Sequence, residues 1–479
     1  MIAVALVVGG CATGSDIPRP DVSPSPAYRY GGNHSAATST SDVGWWQEFH
    51  DERLVRLVER AASANHDVRI AVERARQARA GTTAADARLF PNVGLVAARS
   101  DSSTGLPAQV KQLMPDIEAK RVGLDVAWEI DLFGGARAAA GAAERDAVAA
   151  LHGVSGAQLI AASEVARQYF VWQGARQRLE ILESLLQTQR DTERLTRSRS
   201  REGMASDFDV ARAAGETSNL EASLPPLRTL KAVTESRIAV LTGTDASKGV
   251  PELHAAGDFQ WTVPGETFTG QPTDLLRRRP DLLAAEQRLA AESSRLAEAK
   301  SNLFPKIFLS ALFGRQELTL NSAMDLPASR FSNVAIAFAL PIFNAGRIRA
   351  GIEAQSAREQ ELLLSFEKTI LSAIEDVEDS LIALAGEKQR GDSLAATATQ
   401  RDRAVARATS LFREGQIDLL QLLEVQRAKL ATDLALAEGN TLRAIGYVQL
   451  YKALGGGWQV LSIPTKAQVA TNLPQGAKQ

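Results

Sequence analysis

Between residues 121 and 135, Val122, Leu124, Val126, Trp128, Ile130 and Leu132 occupy every second position, and Gly123, Asp125, Ala127, Glu129 and Asp131 fill the gaps. A period of two puts an apolar row on one face of a strand and small or acidic residues on the other. Such a strand either lies on a soluble core with its acids in water, or faces lipid outward and an aqueous lumen inward. Its apolar run has the roughly 9–11 residues that a tilted transmembrane strand needs.

The alternation recurs in the second half of the chain, where Val334, Ile336, Phe338, Leu340 and Ile342 are interleaved with Ala335, Ala337, Ala339 and Pro341. Both runs close on similar turns, Leu132-Phe133-Gly134-Gly135-Ala136-Arg137 and Ile342-Phe343-Asn344-Ala345-Gly346-Arg347. Other landmarks recur too: Phe90 and Phe304 are 214 residues apart, Phe133 and Phe343 are 210, Gly203 and Gly415 are 212, and Leu241 and Leu454 are 213. Spacings this constant make the chain an internal duplication.

Each copy predicts helices, a strand hairpin and a long helical hairpin. In the first copy (41–250), Trp45-Trp46 precede a helix carrying Leu54, Leu57, Val58, Ala61 and Ala62. A second helix over about 68–87 stops before Pro91, because proline disfavours helical backbone in its predecessor. A strand hairpin over about 92–132 encloses the polar loop 105–118. Residues 137–201 contain no proline and are dense in Ala, Glu, Arg, Gln and Leu. A helix of that length, at ~1.5 Å per residue, would approach ~100 Å, more than a compact domain needs. Gly203, Ser206 and Asp207 supply a turn, and a returning helix runs to about 243, with Pro225-Pro226 expected to kink or break it.

The second copy (272–457) predicts a helix over about 280–301, a strand hairpin over about 306–342 with a loop to 329, and a helical hairpin over about 346–455 turning at Gly415. Ile370, Ile374, Val377, Leu381 and Leu384 form a coiled-coil seam in its first arm. Residues 251–271 link the copies, and 458–479 form a C-terminal tail.

Composition removes several function classes. With 54 basic and 56 acidic side chains and a net charge of −2, the chain presents no basic field for nucleic acid. The histidines (His34, His50, His66, His152 and His254) are scattered, no metal-ligand or nucleophile motif accompanies them, and Gly455-Gly456-Gly457 lacks a following Lys-Ser/Thr. Neither an enzyme nor a cofactor or metal protein is expected. No stretch reaches 18 consecutive apolar residues, so any membrane crossing falls to strands.

The lone cysteine, Cys11, closes the apolar residues 2–10, a run of signal-peptide length that no Lys or Arg precedes, a departure from the usual leader. Small residues before a lone cysteine resemble a bacterial lipobox, so residues 1–10 are expected to be removed and Cys11 lipidated. Residues 11–40, rich in Pro, Ser and Thr, read as a tether.

Two hairpins make four strands, which cannot close a barrel, and an open edge cannot stand in lipid. Two chains would give eight strands and three would give twelve. At this point the chain resembles the outer-membrane factors of tripartite efflux pumps, the TolC-like channels, and among them the OprM/NodT type of lipoprotein. The residues that carry the resemblance are Arg278-Arg279-Pro280-Asp281-Leu282-Leu283, Ala299-Lys300-Ser301-Asn302-Leu303-Phe304-Pro305, Pro341-Ile342-Phe343-Asn344-Ala345-Gly346-Arg347 and Tyr451-Lys452-Ala453-Leu454-Gly455-Gly456.

The resemblance implies a mainly α fold with a transmembrane β-barrel: a homotrimer whose twelve-stranded barrel in the outer membrane continues into a long periplasmic α-helical barrel. It implies a passive exit duct for drugs or other small toxic compounds, served by a periplasmic adaptor and an inner-membrane transporter of the resistance-nodulation-division type. A duct for protein secretion by an ATP-driven exporter would leave most of these residues unchanged, and a structural coiled-coil protein would not need the apolar strands.

Two sets of site residues follow. If the apolar face meets lipid, Asp125, Glu129 and Asp131 point into the lumen as acidic rings. The family's second helical turn has a glycine, eight residues, then an acid before Ala-Gln-Arg. Here Gly415 is followed by Glu424-Val425-Gln426-Arg427, with Glu where the family usually has Asp. The resemblance makes Leu420 the apolar constriction of a periplasmic gate and Glu424, four residues on and on the same helix face, its acidic ring. Asp209 and Arg212, after the matching turn of the first copy, are expected as polar links that hold the gate closed.

Overall fold

The computed structural model describes residues 17–22, 24–31, 44–103, 105–111, 115–254, 263–264, 271–320 and 324–462. Cys11, the leader, most of the 251–271 linker and the tail beyond 462 lie outside these. The first copy folds as α1 (Glu52–Ala64), α2 (His66–Asp86), β1 (Asn92–Ser102), α3 (Ala108–Lys111), β2 (Ile117–Ile130), α4 (Gly135–Arg201) and α5 (Asp207–Leu241). After α6 (Pro251–His254) and α7 (Leu275–Arg278), the second contributes α8 (Pro280–Ser301), β3 (Lys306–Leu320), β4 (Met324–Ala339), α9 (Arg347–Arg413) and α10 (Leu419–Ala453).

Contacts divide the chain into two units. The strand unit takes Arg74–Ala150 and Ala284–Glu367, with the described residues before Val22. Its sheet has the order β1-β2-β3-β4, antiparallel throughout. Directly paired residues share a face, so the register joins Leu95, Leu124 and Phe313 in one row and Trp128, Leu309 and Ile336 in another. From the Leu124 row to the Ile130 row this face is apolar except at Ser332. The other carries Gly123, Asp125, Ala127 and Glu129 beside Gly314, Leu312, Ser310 and Phe308.

The strands extend beyond the alternating runs. β2 begins at Ile117 and β4 at Met324, inside stretches that the sequence presents as loops. Pro327 is tolerated because β4 is an edge strand and the ladder is irregular between Gln316 and Leu318. Beside the sheet, the alanine-rich start of α4 approaches α8 closely: a Cβ on Gly135 would clash with Ser301 Oγ. Arg295 bridges Asp146 and Glu292, and Ser293 donates to Glu359 at 2.5 Å.

The helical unit takes Val22–Glu73, Leu151–Leu283 and Lys368–Gln479. Its main core gathers Trp45, Trp46, Phe49, Leu54, Leu57 and Val58 against Tyr169, Phe170 and Trp172 of α4, Ile238 of α5 and Tyr447 and Tyr451 of α10. The ring of Trp45 stacks on Tyr451 at 5.6 Å. Along the seam of α9, Ile370, Ala373, Val377 and Ser380 are buried, with Ile374 and Leu381 half-buried beside them, so the seam is a broader stripe than the aliphatic residues alone suggest.

Helix α5 runs unbroken through Pro225 and Pro226, which corrects the expectation of a break there. Two mid-helix prolines forfeit two backbone hydrogen bonds. The flanking turn is held by a leucine cluster, Leu220 and Leu224 against Leu179, Leu182 and Leu186, with Leu430 and Leu434 beside them.

Arg279, the last of three consecutive arginines, is the polar hub of this unit. Its guanidinium donates to Asp281 at 2.7 Å, to Asp376 of α9 at 2.9 Å and to the Ala453 carbonyl at the end of α10 at 3.1 Å. The last contact satisfies a helix C-terminal carbonyl with a cation, which the helix dipole favours.

Candidate functional site

Within the strand unit the three acids Asp125, Glu129 and Asp131 have different surroundings. Glu129 pairs with Lys306 of β3 at 3.1 Å. Asp131, just past β2, accepts from the Arg137 backbone at 2.9 Å and from its Nε at 3.1 Å, and so caps the start of α4. Partial burial pushes the Asp131 carboxyl up, but the bonds from Arg137 and Ala136 outweigh it and hold the group below the usual carboxylate range. Asp125, opposite Gly94 on β1 and Leu312 on β3, makes no hydrogen bond or ion pair among the described residues. Of the three it is the acid left without a polar partner among the described residues.

Within the helical unit the two long hairpins turn by the same device. Gly203 (φ 75°) and Gly415 (φ 74°) adopt the left-handed conformation that ends a helix, which glycine reaches without Cβ strain. The residue after each glycine closes the loop, Met204 to the Arg199 carbonyl and Gln416 to the Leu411 carbonyl, both at 2.8 Å. A capping box then starts the returning helix, Ser206 with Asp209 in α5 and Asp418 with Gln421 in α10.

Asp209 is therefore engaged locally. Its carboxylate accepts from the Ser206 hydroxyl at 2.6 Å and from the Ser206 backbone at 3.1 Å, and these bonds lower its pKa. Arg212 lies over the Phe208 ring at 5.5 Å. On α10, Leu419, Leu422 and Leu423 pack with Phe412 and Ala213 in a small core. Leu420 is on the other side of the helix, 43% exposed, so it does not belong to that core. Glu424, one turn further on, is also exposed and has no ion-pair partner among the described residues.

Two links between the hairpins fall on residues to which sequence reading gave no role. Arg199, at the end of α4, covers the Phe412 ring at 4.8 Å and donates to the Phe412 and Arg413 carbonyls at 3.1 and 3.2 Å, so it caps α9. Arg427 of α10 donates to buried Glu216 of α5, with its Nε at 2.9 Å. Glu216 also holds the Arg427 guanidinium firmly protonated. The one signal in the sequence is spacing: Arg427 follows Leu420 by seven residues, two helical turns along the same side.

The family model for outer membrane efflux proteins matches residues 57–244 and 272–456, which are the two copies. The pyoverdine export outer membrane protein OpmQ of Pseudomonas aeruginosa is 30% identical over 466 residues, covering 96% of this chain and 96% of that one. The outer membrane protein OprJ of the same species is 27% identical over 461 residues, covering 95% of each. The solved outer-membrane channel OprN matches the fold with a TM-score of 0.84 at 29% identity, covering 93% of this chain and 100% of that one. The family model covers both copies and the relatives align over nearly the whole chain, so the chain belongs to the outer membrane efflux protein family and is an outer-membrane efflux channel.

Proposed function

We propose that three copies of the chain close a twelve-stranded barrel in the outer membrane, and that their long helices line a periplasmic duct for drugs or other small toxic compounds. Family members act in tripartite pumps as trimeric channels. This one would receive its cargo from a resistance-nodulation-division transporter through a periplasmic adaptor, and Cys11 would carry a lipid anchor. The observation that carries the reading is the sheet: four strands, an exposed apolar face, and two outer edges, β1 and β4, with no strand partner among the described residues. Unpaired backbone cannot stand in hydrocarbon, so the edges must meet those of other copies.

The duct does no chemistry; its mechanism is a constriction. Exposed Leu420 and Glu424 form the apolar and acidic rings of the periplasmic gate. Arg199 and the Arg427–Glu216 pair hold the two hairpins of one copy together, and Arg212 with Asp209 links neighbouring copies. Rings of carboxylates favour cations. Clustering them costs energy unless water or ions intervene, so closure rests on leucine packing and polar links, and adaptor binding opens the gate by favouring the dilated state.

Single-channel recording in planar bilayers tests this directly. Leu420→Ala and Arg212→Ala should each raise conductance several-fold above wild type, Glu424→Ala should weaken periplasmic block by divalent cations, and Asp125→Asn should reduce cation selectivity at the barrel. Unchanged conductance in both of the first two variants would place the constriction elsewhere.

A further inference from the structure

The outward face of the sheet changes character at one level. From Ile130 up to Leu124 its rows are apolar apart from Ser332. The next row sets Val122 beside Arg315, and Arg315 directly opposite Arg330. One row beyond, Lys120 lies between Arg99 and Glu317. From Ile130 to Val122 is ~26 Å along a strand at ~3.3 Å per residue, or ~20 Å of height at a tilt of ~40°, close to the ~25 Å apolar band of outer-membrane barrels. Arg315 and Arg330 therefore stand where hydrocarbon ends, at the hairpin end of the strands, away from the starts of α4 and α9.

The four cations are not equally neutralised. Glu118 pairs with Arg99 at 2.8 Å and with Lys120 at 3.5 Å. Arg315 and Arg330 are exposed and make no ion pair among the described residues. Like charges directly opposite in a sheet repel, and a guanidinium pair of this kind suits an anion with several oxygens that both forks can grip. The outer leaflet of a bacterial outer membrane presents such anions as the phosphates of its glycolipid.

We propose that Arg315 and Arg330 bind a phosphate of outer-leaflet glycolipid, with Arg99 and Lys120 on the rim of the site. This rests on the reading that the apolar face meets lipid. The site would occur once per copy and fix the height of the barrel in the membrane from its outer side.

The test is native mass spectrometry of the full-length assembled protein with bis-phosphorylated lipid A, compared with the same lipid stripped of its phosphates. Wild type should retain the phosphorylated form at least ten-fold better. Arg315→Gln with Arg330→Gln should lose that preference, while Arg121→Gln, on the opposite face, should keep it. Arg315→Lys, which keeps the charge but not the fork, should weaken retention several-fold and serves if the double variant fails to assemble. Equal retention of the two lipids, or a double variant that binds like wild type, overturns the proposal. So does displacement by millimolar inorganic phosphate, which would mark a simple anion site. Quenching of Trp128 fluorescence by brominated acyl chains, read as the quenching that Trp128→Phe removes, separates the two layers: quenching with no phosphate preference sinks the headgroup site alone, and absence of quenching sinks the lipid-facing reading beneath it.

Discussion

Arg279→Ala lowers the stability of the helical unit by about 3 kcal/mol, the lower end of the range for removing one partner of a buried ion pair. The lower end applies because the Arg279 side chain is 11% exposed while Asp281 and Asp376 are half in water, so part of the loss is recovered by hydration. What hydration does not restore is the cross-link between the start of α8, the middle of α9 and the end of α10. Arg279→Lys keeps the charge but cannot reach two carboxylates and a carbonyl at once, so it falls between wild type and alanine.

The sign of the pH dependence follows from Asp281, whose pKa burial pushes up but the Arg279 bonds bring down below its usual value. A carboxylate depressed in the folded state stabilises above the unfolded pKa, and that contribution fades as pH falls through the folded value. The gap between wild type and Arg279→Ala should therefore be constant from about pH 5 to 8 and shrink below about pH 4. Urea unfolding followed by the tryptophan signal of the Trp45, Trp46 and Trp172 core measures both. A gap below about 0.5 kcal/mol, or one that widens in acid, would contradict the role given to Arg279.

Val126→Arg prevents assembly. Val126 lies between Val93 and Ala311 in the middle of the apolar face. An arginine near the bilayer midplane costs ~2–4 kcal/mol, and a trimer bears that cost in every copy. The neighbouring Asp125→Arg faces the lumen and should cost little. Gel migration of unheated, detergent-extracted protein reads the outcome: the trimer band is lost for Val126→Arg and kept for Asp125→Arg. The reverse pattern would mean that the faces are assigned the wrong way round.

The apolar face was legible because lipid demands an unbroken period of two, which neither Trp128 nor Ile336 interrupts. Where strands leave the apolar zone that demand ends, so the first residues of β2 and β4, with Asp325, Pro327 and Ser329 among them, look like loop although the ladder continues. The helix turns were legible for a local reason, since Gly203 and Gly415 are the residues that a left-handed C-terminus selects. Pro225-Pro226 misled because local propensity carries no information about the leucines packed on either side. Arg279 and Arg427 were visible as charges, but their long-range partners Asp376 and Glu216 are 97 and 211 residues away in sequence, and no local pattern reports a contact of that range. That Leu420 is exposed beside three buried leucines was something only the fold could supply.

The proposed closure of the barrel by three copies has a template inside the chain. Phe304 of the second copy stacks on Phe133 of the first, with ring centroids 5.0 Å apart and planes 13° from parallel. Their equivalents by duplication, Phe90 and Phe343, have no such ring partner among the described residues and are 67% and 88% exposed. If the edge of β4 meets β1 of the next copy as β2 meets β3, Phe343 of each copy lies beside Phe90 of its neighbour. The measurement is cross-linking of Phe90→Cys/Phe343→Cys in a Cys11→Ser background, in native outer membranes, with a short thiol-to-thiol reagent. The account predicts a covalent ladder that ends at the trimer and is absent in either single variant. A ladder ending at the dimer, or no cross-link in an assembled protein, would contradict it.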